Sequence, residues 1–67
     1  MEDARHNELK IGDVVTISRH HKTGESRPEK AIVIRISDKG DRARVHIQDG
    51  PDQDRVFWVT SRNVWKS

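Results

Sequence analysis

Apolar residues in this chain recur at every second position in short runs, and turn residues separate the runs. A period of two is the signature of half-buried strands, and no stretch carries the 3.6-residue period of an amphipathic helix. The strongest pattern lies between Ala31 and Ile47: AIVIRIS, then DKGD, then RARVHI. It predicts a β-hairpin, with Gly40 supplying the positive φ of a bulged hairpin turn. In the returning strand Ala43, Val45 and Ile47 point to the core, while Arg42, Arg44, His46 and the following Gln48 point to solvent. In the outgoing strand β-branched residues stand at nearly every position, and Ile32, Ile34 and Ile36 are expected to face the core.

Ahead of the hairpin, Leu9 and Ile11 lead through Gly12 into a strand at residues 14–18, with Val15 and Ile17 inside. Residues 19–29, RHHKTGESRPE, lack any aliphatic side chain and read as a long loop. Beyond the hairpin, residues 49–54 form an acidic turn. Residues 55–60 form a strand with Phe57 and Val59 inside, residues 60–63 a short turn of helix, and Val64-Trp65 a closing strand. Residues 1–8 are polar and are expected to be flexible, leaving 9–67 as the folded domain. The sum is an all-β chain: a five-stranded SH3-like barrel with a short 3-10 turn before its last strand. Its expected core is Val15, Ile17, Ile32, Ile34, Ile36, Ala43, Val45, Ile47, Phe57, Val59 and Val64.

Composition narrows the chemistry. A chain of 67 residues has room for one small core. It contains no Cys, which excludes a disulfide framework and a thiolate zinc site. No apolar run reaches the length of a membrane span, and MEDARHNELK lacks the apolar centre of a signal peptide, so the expected address is cytoplasmic. Charged residues make up 36% of the chain with a net charge of only +2, so any functional charge must be local.

Two segments resemble known families. Ile11-Gly12-Asp13-Val14-Val15 resembles the opening of many SH3-like barrels, including KOW-type ribosomal and transcription modules and the small photosystem I subunit barrel. Phe57-Trp58-Val59-Thr60-Ser61-Arg62-Asn63-Val64 is similar to the end of the SH3-like C-terminal domain of retroviral integrases, where Trp-Val-Pro-x-Arg precedes a closing strand. Trp58, Val59, Arg62 and Val64 match that pattern. Thr60 stands where the pattern has Pro, and the upstream Trp-Lys-Gly-Pro of those domains is absent. The resemblance implies nucleic-acid binding through basic strands and loops.

The residues themselves offer a matching candidate site. Arg42, Arg44 and His46 share the outer face of one strand, and same-face neighbours on a strand lie about 7 Å apart, close to phosphate spacing. Arg35 and Arg55 on neighbouring strands would enlarge the patch, Trp58 would add a stacking surface, and Arg19 and Lys22 in the basic loop would add grip. The plain alternative is a solvated face paired with Asp38, Asp41, Asp52 and Asp54. A second functional reading is a protein-interaction or self-associating module using Trp58, Val56 and Val33. Adjacent His20 and His21 point opposite ways on an extended chain, so no metal or other cofactor is expected. Nothing resembles a catalytic constellation, and a non-enzymatic binding module is the expectation.

Overall fold

A computed structural model describes residues 1–20, 26–50 and 52–67, leaving aside the side chains of residues 19, 20, 26 and 27. Five strands follow one another: β1 (Val14–His20), β2 (Ser26–Ile36), β3 (Arg42–Ile47), β4 (Val56–Thr60) and β5 (Val64–Lys66), with a 3-10 turn at Ser61–Asn63 between the last two. They form a single antiparallel sheet in the order β4-β3-β2-β1-β5. The sheet does not close on itself: β4 and β5 are its two edges. Among the described residues there is no α-helix, so none that is long and apolar enough to cross a membrane.

With no helix to cover it, the sheet buries its apolar face by curling over itself. Leu9, Val15, Ile17, Ala31, Val33, Ala43, Val45, Ile47, Val59 and Val64 form one core, with Met1, Ile36 and Phe57 packed at its margin. Alternation explains most of this list. β3 reads exposed–buried from Arg42 to Val45, and its ladder partners inherit its parity because residues opposite one another share a face.

That rule corrects the expected facing of β2. Ala31 pairs with Ile47 and Val33 with Val45, so Ala31 and Val33 point inward and Ile32 does not. The register then shifts between Val33 and Arg35. Ile34 is the extra residue of a β-bulge and is 42% exposed. Past the bulge Arg35 pairs with Arg44 and Ile36 with Ala43, which returns Ile36 to the margin of the core. A single unbroken parity, the basis for placing Ile32, Ile34 and Ile36 together, does not survive the bulge.

Of the loop expected at residues 19–29, residues 19–20 belong to β1 and 26–29 to β2, and residues 21–25 lie outside the described residues. The β1–β2 ladder runs from Val14↔Ile32 out to His20↔Ser26, well beyond the apolar positions. Backbone pairing continues there because each main-chain group needs a partner regardless of its side chain. Gly40, at φ 69, makes the β2–β3 turn as expected.

Residues 1–8, expected from the sequence to be a flexible end, form a loop around Asp3 in the structure. The side chain of Asp3 is buried, at 2% exposure. The backbone N–H groups of Arg5 and Asn7 each donate to its Oδ1 at 2.8 Å, and the N–H of Lys66 donates to its Oδ2 at 2.7 Å. Alongside, the N–H of Ala4 donates to the C=O of Val64 at 2.9 Å, and Leu9 enters the core. The Lys66 N–H, followed by those of Asn7 and Arg5, outweighs desolvation and holds the Asp3 carboxyl down at about 2, against an ordinary 3.8.

Two tests follow from this architecture. Val33→Asp and Val45→Asp, each placing an unpaired carboxylate in the core, should abolish the cooperative urea transition, whereas Ile34→Asp at the exposed bulge should keep it. Equal behaviour of Val33→Asp and Ile34→Asp would contradict the register. A carboxyl whose folded pKa is depressed stabilises the fold above its unfolded pKa and loses that effect as pH falls through its folded pKa. The urea midpoint should therefore drop as pH falls from about 4 to about 2, and Asp3→Asn should flatten that acid limb. An unchanged limb in Asp3→Asn would show that another carboxylate governs it.

Candidate functional site

The bulge at Ile34 and the alternation of β3 together set the outer face of β2, β3 and β4. Ser37 N–H donates to Arg42 C=O at 2.9 Å, which makes the Arg35–Arg44 rung two residues on a hydrogen-bonded one. Two arginines thus stand directly opposite each other, with Cα atoms about 5.5 Å apart for such a rung. Arg44 in turn pairs with Trp58 on β4, so one line across the sheet reads Arg35, Arg44, Trp58. Arg42 lies on the same face as Arg44, and its guanidinium sits over the Trp58 ring, 5.7 Å from the centroid. The ring is 46% exposed, large for a tryptophan.

Like charges facing each other across a sheet destabilise it unless something neutralises them. Among the described residues no carboxylate oxygen lies within ion-pair distance of the Arg35, Arg42 or Arg44 guanidinium. Of the nearby carboxylates, Asp38 and Asp41 border the face without forming an ion pair with these arginines, and Asp52 and Asp54 are engaged elsewhere. Ser37 Oγ donates to Asp41 Oδ1 at 2.8 Å and holds that carboxyl below its ordinary range. Asp54 Oδ1 lies 3.3 Å from His46 Nε2, and Asp52 Oδ1 lies 3.8 Å from Arg55 Nε. The face therefore gathers three arginines that form no ion pair among the described residues, with Asp38 and Asp41 at its border.

Beside it, the β2–β3 turn folds up into a shallow groove of about 370 Å³ between Arg35, Lys39, Arg42 and Trp58. Ile36 and Ser37 contribute to its walls, and Asp38 and Asp41 line it too. Lys39 is a member that sequence reasoning passed over. The available signal was its place in a two-strand turn whose flanking strands both carry arginine.

The other expected site residues fall differently. His46 is on the outer face but at the far end, between Ile32 and Val56, and its ring is held by Asp54 and by Gln48, whose Nε2 lies 2.8 Å from Nδ1. Arg55 precedes β4 opposite Ile47 and turns toward Asp52, away from the arginine line. Arg19 lies on β1 with its side chain outside the described residues, and Lys22 lies outside them altogether. Val33, expected to join Val56 and Trp58 in an apolar patch, is fully buried and cannot. Val56 and Trp58 remain exposed, joined by Ile34. Among the described residues no three His, Asp or Glu side chains converge as a metal site would require.

No curated protein and no solved structure matches the chain. One family model does, over residues 1–67, under the description Domain of unknown function (DUF7205). The chain, from its Asp3 loop through its arginine face to β5, is a member of the DUF7205 family.

Proposed function

We propose that this domain is a small non-enzymatic binding module for nucleic acid, and that the outer face of β2–β4 is the binding surface. In this reading the curled five-stranded sheet, with its 3-10 turn between β4 and β5, is an SH3-like barrel in which the curl brings the two edges toward each other. The observation that carries the function is the set of three arginines, none in an ion pair among the described residues, arranged around an exposed tryptophan. Such an arrangement costs stability, and a polyanion repays that cost by neutralising the guanidiniums.

The division of labour follows from residue type. Arg35, Arg42 and Arg44 each present a planar fork of donors suited to phosphate oxygens, and Lys39 adds a point charge at the groove. Trp58 offers a face on which an unpaired base stacks, with Arg42 bordering it. No side chain here is placed to read base edges, so affinity is weak, salt-dependent and nearly indifferent to sequence. Single strands suit the site better than duplex, because a base already stacked in a helix cannot reach Trp58.

Titrating tryptophan fluorescence with short single-stranded and duplex oligonucleotides tests the reading, with Trp65→Phe removing the second, half-buried fluorophore. Three phosphate contacts on a single strand predict a log K against log salt slope of about −2, and Arg44→Gln should shallow it by about 0.7. The same Arg44→Gln should unfold at an equal or higher urea concentration, since it removes the repulsion from Arg35. No binding at low salt would end the proposal. A loss of stability in Arg44→Gln would show that the arginine line is structural.

A further inference from the structure

The two edges of the sheet are treated differently by the chain. On β5 two of the four outward-facing main-chain groups of Val64 and Lys66 are taken: Val64 C=O accepts from Ala4 N–H at 2.9 Å, and Lys66 N–H donates to Asp3 Oδ2 at 2.7 Å. β4 has no such cover. Ile47 N–H donates to Arg55 C=O at 2.9 Å, which sets the alternation along the ladder, so Val45–Phe57 and Ala43–Val59 are the hydrogen-bonded rungs. The N–H and C=O groups of Val56 and Trp58 and the N–H of Thr60 then point away from β3. Among the described residues nothing takes them up.

An open edge is a template for another strand, and proteins commonly blunt it with lysine, proline or a bulge. β4, VFWVT, has no charge, no proline and no glycine. We propose that it is a homodimer interface, in which β4 pairs antiparallel with β4 of a second copy around a two-fold axis at Trp58. Three features on the chain favour a second copy over an unrelated strand. With Asp3 and Ala4 bonded along the outer side of β5, head-to-tail β4–β5 addition is obstructed and the symmetric pairing is favoured. The register with full overlap sets Trp58 opposite Trp58 and Val56 opposite Thr60, so the outward groups meet their complements. The same register carries the Asp54 end of one strand, whose carboxylate also lies 3.3 Å from His46 of its own chain, to the Arg62 end of the other, twice. Arg62 is exposed and makes no ion pair among the described residues.

The pairing uses main-chain groups in the plane of the sheet and leaves the outer face open. Two arginine clusters would lie on one continuous surface, but the inference does not depend on nucleic-acid binding. A strand of this length spans about 17 Å, too little for a standard interface of at least about 1,200 Å², so the dimer is concentration-dependent.

Sedimentation velocity of the full chain without nucleic acid, from about 10 μM to about 1 mM, tests it in the range expected of a small interface. The expected result is a monomer–dimer shift. Amide hydrogen exchange of Trp58 should slow as the dimer forms, while that of Phe57 stays protected throughout. Thr60 has φ −92 and an outward N–H, so Thr60→Pro removes an edge donor with little backbone change. It should remain folded by circular dichroism and remain monomeric. Should it unfold, Arg62→Glu decides: like charges at both ends should raise the dimer Kd at least tenfold. A monomer at every concentration, assemblies larger than a dimer, an unchanged Trp58 amide, or undiminished association of a folded variant would each overturn the proposal.

Discussion

The structure depends on one irregularity, the β-bulge at Ile34. β3 has a strict alternation, with Ala43, Val45 and Ile47 inside and Arg42 and Arg44 outside, and it admits one facing for each neighbour. β2 has apolar residues on both sides from Ala31 to Ile34 and then Arg35. Without an inserted residue, a strand with Val33 inside would turn Arg35 inward as well. The bulge absorbs one residue at the surface and puts Arg35 beside Arg44 and Ile36 over Ala43. The inward facing of Val33 and the outward facing of Arg35 are thus reconciled by one local feature.

A domain this small has little net stability from its core and needs a second source of order. With no cysteine in the chain, Asp3 serves that purpose non-covalently. Its carboxylate joins the loop at residues 5 and 7 to β5 at residue 66, across nearly the whole chain. Charge-assisted hydrogen bonds from backbone N–H groups are among the stronger ones, and burial shields them from water. The same contacts seal one edge of the sheet. What holds the fold together and what limits its association are therefore the same few atoms.

Much of this was legible in the chain. The period of two, the turn at Gly40 and the alternation of β3 yield the strands, their antiparallel order and the outward placement of Arg42 and Arg44. Inspection of β2 alone does not give its facing, because Ile32, Val33 and Ile34 are equally apolar and a bulge has no fixed composition. Cross-strand pairing decides it, and pairing is a long-range property. Asp3 was hidden for the opposite reason: a polar terminal stretch carries no periodic signal, and its order rests on main-chain donors that every sequence possesses. Of the candidate site, Arg42, Arg44 and Trp58 could be placed by parity, whereas the facing of Arg35 shares the ambiguity of β2. That Arg55 and His46 are drawn off by Asp52 and Asp54 could not, since those contacts come from the geometry of the β3–β4 turn, where Asp54 sits at φ 68.

The register of β2, β3 and β4 is the claim on which both the core and the arginine face stand. Antiparallel rungs that exchange no hydrogen bonds bring their Cα atoms to about 4.5 Å, close enough for a strong Hα–Hα nuclear Overhauser contact. Val33–Val45 and Arg44–Trp58 are such rungs. The account predicts both contacts in solution, with none from Ile34 to Val45. An Ile34–Val45 contact in place of Val33–Val45 would contradict it, by removing the bulge and putting Ile34 rather than Val33 in the core, with Arg35 still opposite Arg44.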